Sequence, residues 1–236
     1  MFENIIDLKT TDGEMETFVC HPERGGPYPA IFFLMDAPGI RDELYDMARR
    51  LAIVGYYVLL PNLYYRAGKD TKYGPDVLDK GSDENKRMRE VRTKMTIPPI
   101  MQDISDMLAF VETQDAADSG PIGTHGYFIS GPYSLAAAAR FPERVAAAAS
   151  FYGTWLVSDA EESPHSTLGQ VKGELYISCA EHTTWHLRKW LKNCETYSKH
   201  LALMANLRFI LASITASPFP NVGATINLPL QGIGSA

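Results

Sequence analysis

The residues that could do chemistry are concentrated in one stretch of the chain, Gly126-Tyr127-Phe128-Ile129-Ser130-Gly131. The stretch follows an apolar run typical of a strand and precedes an alanine-rich run typical of a helix. Small residues at 126 and 130 permit a sharp strand-to-helix turn that lifts the side chain at 128 over the sheet edge, which is the geometry of a nucleophile elbow. Such an elbow presents a serine or cysteine for attack on an acyl carbon. Its apex here is Phe128, so the spacing predicts the geometry of acyl transfer without the reacting atom.

Three other residues near this stretch could take part in a reaction. A Gly-x-Ser-x-Gly motif centred on Ser130 would need glycines where the chain has Phe128 and Pro132, so we expect Ser130 to point into the following helix and to serve as a small packing residue. His125 lies on the incoming strand, where packing or a surface hydrogen bond is expected. Asp36 follows a buried strand and is the best remaining site residue; its alternative role is to cap the next helix or its loop.

Five apolar runs predict the strands that must position these residues. The runs alternate with segments of helical periodicity, which predicts an α/β fold with a doubly wound, mostly parallel sheet and right-handed crossovers. Ligands bind beyond the carboxyl ends of the strands in such sheets. The runs are residues 30–35, 56–60, 122–127, 145–152 and 175–179, preceded by an antiparallel strand at 14–20; the helices are 41–54, a helix opened by Pro98-Pro99, and 133–140.

Composition excludes several classes of protein. The 236 residues are 45% hydrophobic, enough for one domain with a sizeable core, and the net charge of −6 gives no reason to expect a nucleic-acid partner. We see no signal peptide and no membrane-spanning run, so no membrane partner is expected. Cys20, Cys179 and Cys194 are odd in number and irregularly spaced, which favours a reducing cytoplasm over a disulfide framework, and no spacing resembles a zinc site.

Several motifs taken together resemble the dienelactone hydrolase (carboxymethylenebutenolidase) family, from about Thr10 to His182. Each motif is weak alone, but the set in this order and spacing is specific. The motifs are Met35-Asp36-Ala37-Pro38-Gly39-Ile40-Arg41, Gly55-Tyr56-Tyr57-Val58-Leu59-Leu60-Pro61, Gly126-Tyr127-x-x-Ser130-Gly131-Pro132, Arg144-Val145-Ala146-Ala147-Ala148-Ala149-Ser150-Phe151-Tyr152-Gly153 and Cys179-Ala180-Glu181-His182.

The resemblance implies an α/β-hydrolase that uses a Cys–His–Asp triad on a small-molecule ester or lactone, without metal or organic cofactor. The nucleophile position then falls on Phe128, and the two oxyanion N–H groups fall on Ile129 and Ala37. The family also places an acidic residue where Asp36 stands. Its members hold a substrate carboxylate with arginine, for which this chain offers three candidates without a choice among them: Arg87, Arg89 and Arg92.

The chain departs from the family after His182. The position of the triad acid falls on Thr183, and no His-Gly-Phe follows to supply the base. Residues 183–236 hold only one of the chain's 28 acidic residues, Glu195. A one-base shift can read Asp-Asp-Leu-Ala-Pro-Pro-Glu-Met-Val from 183 onward and His-His-Gly-Phe-Ala-Phe-Pro across 213–220, which are the missing segments. We therefore interpret 1–182 as an α/β-hydrolase core and 183–236 as an aberrant, frame-shifted tail.

The incomplete tail sets the functional expectation. The indistinct period of residues 201–214 predicts that the strand expected after position 179 is missing and that the C-terminal part of the sheet is incomplete. The chain is expected to be a hydrolase of a lactone or carboxylic ester by family, inactive because its nucleophile, acid and base positions are lost. A noncatalytic small-molecule-binding protein on the same fold is the alternative, and a degraded gene product without function is a third.

Overall fold

The computed structural model describes residues 1–68 and 71–178, together with the backbone of 207–209. Within that part of the chain, eight strands form one sheet in the order β1-β2-β4-β3-β5-β6-β7-β8. β1 and β2 form an antiparallel hairpin, β2 joins β4 antiparallel, and all other pairs are parallel. The strands are β1 Phe2–Thr10, β2 Gly13–His21, β3 Ala30–Leu34, β4 Tyr57–Pro61, β5 Ile122–Tyr127, β6 Val145–Phe151, β7 Glu174–Ser178 and β8 Leu207–Phe209.

Helices cover both faces of this sheet, as the alternating sequence pattern predicts. They are α1 Asp42–Ile53, α2 Asp83–Arg92, α3 Ile97–Val111, α4 Gly131–Arg140 and α5 Pro164–Thr167. α1 buries Leu44, Ala48 and Ala52, which recur every four residues on one face. Gly55 follows α1 with a φ of +105° and donates its N–H to the Ala52 carbonyl, which ends the helix and starts the turn into β4.

The strand order opens a crevice between β3 and β5. β4 pairs with one edge of β3, and β5 pairs with the other. The connection from β3 through α1 to β4 therefore runs toward one edge of the sheet. The connection from β4 through α2 and α3 to β5 runs back toward the other edge. Right-handed crossovers in opposite directions lie on opposite faces, and the carboxyl ends of the two strands where they diverge form the ligand-binding crevice of such folds.

A buried ion pair anchors the β1–β2 hairpin to α3. The Asp103 carboxylate is fully buried and accepts hydrogen bonds from Arg66 at 2.7 and 2.8 Å and from the Tyr65 hydroxyl at 2.8 Å. The Tyr65 hydroxyl is also 2.8 Å from the Thr10 hydroxyl at the end of β1. This network fixes which face of β1 lies toward α3.

The predicted fold class is confirmed, with one correction near the end of the chain. The expectation of a missing strand after position 179 is wrong, because β8 pairs in parallel with β7. Periodicity could not find it, since a three-residue strand is too short to show an alternating pattern. The proposed frame-shifted tail, 183–236, lies outside the described residues apart from the backbone of β8.

Candidate functional site

The elbow predicted from the sequence is present at the carboxyl end of β5. Residues 128–130 form a single 3₁₀ turn, and α4 begins directly afterwards at Gly131. Phe128 has a φ of +53°, in the left-handed region that bulky side chains rarely adopt. Strain of this kind is of order 1–3 kcal/mol and is typical of functional turns. The apex is therefore held in the conformation of a nucleophile elbow, with a half-buried phenyl ring in the place of a nucleophile.

Glycines make this turn possible because three backbone segments approach closely. A Cβ at Gly126 would overlap the carbonyl oxygen of Ser130, and a Cβ at Gly131 would lie 2.6 Å from the Cα of Gly153. Gly153 belongs to the loop after β6, so α4 begins in direct contact with that loop. Gly126 and Gly131 are therefore required because backbone atoms occupy the space that a Cβ would need, and not because the turn must be flexible.

The loop after β3 is fixed by the pair of Asp36 and Arg41. Two guanidinium nitrogens of Arg41 donate to the two carboxylate oxygens of Asp36 at 2.5 and 2.8 Å, and one also donates to the Gly39 carbonyl at 3.0 Å. Burial alone would lower the pKa of Arg41, but the hydrogen bonds and charge of Asp36 raise it overall. Asp36 makes no capping bond to α1, whose N-cap is Arg41 without a side-chain cap. Its carboxylate orders the loop instead.

The elbow and this loop are tied together by side-chain hydrogen bonds to the backbone. Ser130 is fully buried, and its hydroxyl donates to the Met35 carbonyl. Tyr64, also buried, donates to the Ala37 carbonyl at 2.7 Å. The expectation that Ser130 points into the following helix is not met, because its hydroxyl reaches the backbone at the end of β3; this hydrogen bond ties the elbow to the loop after β3.

The two amides expected to form an oxyanion hole come to the same level of the sheet. β3 and β5 run parallel, with Leu34 opposite Gly126. Ala37 and Ile129 each lie three residues beyond this pair, at the carboxyl edge where the two strands diverge. Backbone N–H groups held in this way are the usual donors to a developing oxyanion.

Two further strained residues lie at the same edge, and no pattern in the sequence predicts them. Tyr152 and Trp155 follow β6 and have φ values of +43° and +53°. The amide of Thr154 between them donates to the Phe128 carbonyl at 3.0 Å, so this loop packs against the elbow apex. Burial raises the pKa of Tyr152 to about 12, and the nearby charge of Asp36 adds to that shift. Tyr152 therefore remains a neutral phenol beside the Asp36–Arg41 pair.

The structure distinguishes the three candidate arginines on α2. Arg87 is engaged by Glu84 at 2.9 Å, and Arg89 is exposed. Arg92 lies 5.3 Å from the centre of the Trp155 ring, and its charge acts on Tyr64 and Tyr133. Within the described part of the chain, Arg92 has no carboxylate partner. It is the arginine of the three that belongs to the crevice.

His125 is a half-buried packing residue and not a base. Its ring lies 4.5 Å from that of Phe33 and 5.5 Å from that of Tyr127, and neither ring nitrogen has a hydrogen-bond partner. Burial lowers the pKa of His125 to about 4. Of the two roles expected for His125, packing is therefore the correct one. Because its imidazole has no hydrogen-bond partner and a lowered pKa, it makes the stability of the fold depend on pH.

We expect this histidine to make the fold less stable in mild acid. Above about pH 6.5 it is neutral in both states; between about 6.5 and 4 only the unfolded chain binds the proton, so stability falls as pH falls, by about 3 kcal/mol in all. His125→Phe should remove this part of the pH dependence when unfolding free energies from urea titrations at pH 7 and 4.5 are compared. His21→Phe, which leaves His125 in place, is the control. An equal loss of stability in wild type and His125→Phe would contradict the assignment.

Several expected site features lie elsewhere or outside the described residues. Thr183, the position of the triad acid, and Cys179 and Cys194 are among the residues not described. Cys20 is a buried free thiol in β2, and burial raises its pKa to about 12, so it is inert. Among the described residues no three His, Cys, Asp or Glu side chains are grouped as metal ligands would be. No helix in that part of the chain is long and apolar enough to cross a membrane.

Comparison with known proteins gives one consistent family. A sequence model described as the dienelactone hydrolase family matches residues 15–194. A protein of Methylorubrum extorquens named "Putative carboxymethylenebutenolidase" is 28% identical over 155 residues, covering 66% of this chain and 50% of that protein. One of the same name from Synechocystis is 24% identical over 184 residues, covering 72% of this chain and 71% of that protein. The chain thus spans about half the length of the first of these relatives.

Solved structures share the fold at low sequence identity. A Klebsiella pneumoniae structure named "Putative Dienelactone Hydrolase" superposes with a TM-score of 0.75 at 17% identity, covering 89% of this chain and 84% of that one. The dienelactone hydrolase of Anabaena variabilis superposes with a TM-score of 0.61 at 16% identity, covering 90% and 87%. At these identities the likeness is one of fold.

Proposed function

The chain belongs to the dienelactone hydrolase family, and on that premise we propose that its crevice is that of a hydrolase acting on a lactone or carboxylic ester, in which turnover has been lost. The relatives' name, carboxymethylenebutenolidase, denotes cleavage of a lactone that also carries a carboxylate. In this proposal the crevice retains the groups that recognise such a molecule and lacks the group that attacks it.

One observation carries the proposal: the apex of an otherwise intact elbow is Phe128. A covalent route needs a nucleophile at that point, and a phenyl ring cannot form an acyl intermediate. Neither neighbour can replace it, since the Ser130 hydroxyl is engaged by the Met35 carbonyl and the Asp36 carboxylate by Arg41. The acid position, Thr183, carries no carboxylate either, and we propose that 183–236 is read in a shifted frame. Sequencing the gene tests that part, and codons that cannot yield the two missing segments would refute it.

The recognition half of the site is made of two amides and one arginine. The Ala37 and Ile129 N–H groups would receive the lactone carbonyl. The guanidinium of Arg92, which has no carboxylate partner among the described residues, would receive the ligand's carboxylate. Charge-assisted hydrogen bonds to arginine are the strong ones in proteins, so Arg92 would supply most of the specificity for an anionic ligand.

We expect carboxymethylenebutenolide to bind without being hydrolysed. Binding is measured by calorimetry and hydrolysis by loss of the lactone absorbance. Arg92→Gln should weaken binding about tenfold or more, because a charged donor is replaced by a neutral one. Arg89→Gln, an exposed arginine on the same helix, is the matched control and should leave affinity unchanged. Hydrolysis by the wild-type chain would refute the loss of turnover, and equal affinities of the two variants would refute the role of Arg92.

A noncatalytic binding protein is the second candidate function, and it is favoured by Arg92, which lies against Trp155 with no carboxylate partner in the described part of the chain. A chain that kept a binding role would hold its ligand with micromolar affinity and release it unchanged. The same experiment distinguishes the two: tight binding without turnover supports the binding protein, whereas weak binding without turnover supports a hydrolase that has simply lost its activity.

A further inference from the structure

Within the part of the chain that the structure describes, no strand pairs with the outer edge of β1. Its nine residues pair with β2 along their whole length in an unbroken register, and β1 is the first strand of the sheet. The sequence of β1 contains no proline. The outer edge therefore presents a regular row of backbone N–H and C=O groups, which is a template for another strand.

Two apolar side chains of this edge strand are exposed. Phe2 and Ile5 are 44% and 48% exposed. Natural sheets protect long edge strands with prolines, bulges or charged side chains, and of these β1 has only charges, among them Glu3 and Lys9. Proline and bulge are both absent from β1 within the described residues. The strand is thus suited to pairing by β-strand addition.

We propose that β1 pairs antiparallel with the β1 strand of a second copy of this chain, about a two-fold axis at Ile6. The two faces of β1 are fixed by their contacts: Glu3 reaches Arg49 of α1 at 2.7 Å, and Thr10 contacts Tyr65, which is bonded to Asp103 of α3. Odd-numbered residues therefore face α1 and even-numbered residues face α3. A two-fold axis perpendicular to the sheet keeps these faces matched and makes the contact self-complementary.

Overlap and charge together select the register: an axis at Ile6 pairs all nine residues of β1, whereas an axis at Leu8, which would pair Asp7 with Lys9, leaves only 6–10 paired. With the axis at Ile6, Glu3 of each copy lies opposite the exposed Lys9 of the other, so the symmetric interface gains two ion pairs. Moving the axis by one residue, to Ile5, keeps the faces matched but places Glu3 opposite Asp7, and like charges directly opposite are destabilising. In the favoured register the two Ile5 side chains are diagonal neighbours, which covers the apolar residue on the face toward α1.

The dimer is tested by sedimentation of the full chain from about 1 to about 100 μM. Ile5→Lys should raise the dimer dissociation constant about tenfold or more, because two-fold symmetry places the charge in the interface twice. Ile53→Lys changes another exposed isoleucine, at the end of α1, and should leave the constant unchanged. Lys9→Glu should weaken the dimer similarly, and Lys9→Gln should weaken it less, since it removes the attraction to Glu3 without placing a like charge opposite.

Each outcome decides the proposal. A wild-type chain that stays monomeric over this range overturns it, as does a dimer that Ile5→Lys and Lys9→Glu leave intact. A dimer weakened equally by Lys9→Gln and Lys9→Glu overturns the register. Circular dichroism of every variant confirms folding, and because Lys9→Glu changes an exposed side chain only, it remains informative if Ile5→Lys does not fold.

Discussion

Phe128→Cys is expected to convert the chain into one that releases about one equivalent of p-nitrophenolate from p-nitrophenyl acetate and then stops. A thiolate at 128 attacks the acetyl carbon, p-nitrophenolate leaves, and a thioester remains on the cysteine. The position is prepared for this step because it lies in the turn that leads into α4, near a helix N-terminus where a thiol pKa is lowered, and because the proposed oxyanion donors are the Ile129 amide next to it and the Ala37 amide. Turnover should not follow, because the proposed loss of the triad base leaves no group to activate water.

The control for this variant is a cysteine at the other end of the same helix. Phe141 is half-buried and follows the last residue of α4, so Phe141→Cys gives a thiol on the same element without neighbouring oxyanion donors. We expect acylation at 128 to be about 100-fold faster than at 141, the usual effect of an oxyanion donor. The wild-type chain supplies the background from its own thiols. Equal rates at the two positions would show that the elbow is no longer preorganised for acyl transfer.

Gly126→Ala is expected to unfold the chain or to lower its unfolding free energy by about 4 kcal/mol or more. A Cβ at 126 would overlap the Ser130 carbonyl oxygen, and that oxygen belongs to backbone which the elbow turn cannot move without disrupting α4. Urea denaturation followed by circular dichroism measures the change. Gly169→Ala is the matched control: a Cβ there meets nothing within 4 Å, so stability should be unchanged or slightly higher. Two variants of equal stability would mean that the turn is looser than these contacts require.

The order of strands and helices was predictable because each buried strand is a continuous apolar run. The sequence also predicted the elbow, since glycines at 126 and 131 are needed where backbone meets backbone. β8 was missed because three residues carry no period, and the starting point of α4 was placed two residues late. In both cases contacts to a neighbouring element, and not local sequence, decide the boundary.

The site was only partly predictable, because its remaining parts depend on distant contacts. Asp36 could be located after β3, but its partner Arg41 could not, since an i,i+5 pair in a loop follows no regular spacing. The choice of Arg92 over Arg87 and Arg89 depends on Trp155, which lies more than sixty residues along the chain. Strain at Tyr152 and Trp155 has no sequence signature, because neither is a residue type that favours a positive φ.

The way Phe128 is held has a consequence for how such a chain could acquire new chemistry. The described hydrogen bonds that hold the elbow engage backbone groups: the Thr154 amide binds the Phe128 carbonyl, and Ser130 binds the Met35 carbonyl. The turn is therefore specified by its neighbours, and the identity of the side chain at its tip is left open. A change in a single codon can replace that side chain without changing the contacts that hold the turn. The reactive group can therefore be substituted independently of the fold. In such an architecture catalysis can be lost, or gained in a different form, without passing through an unfolded intermediate sequence.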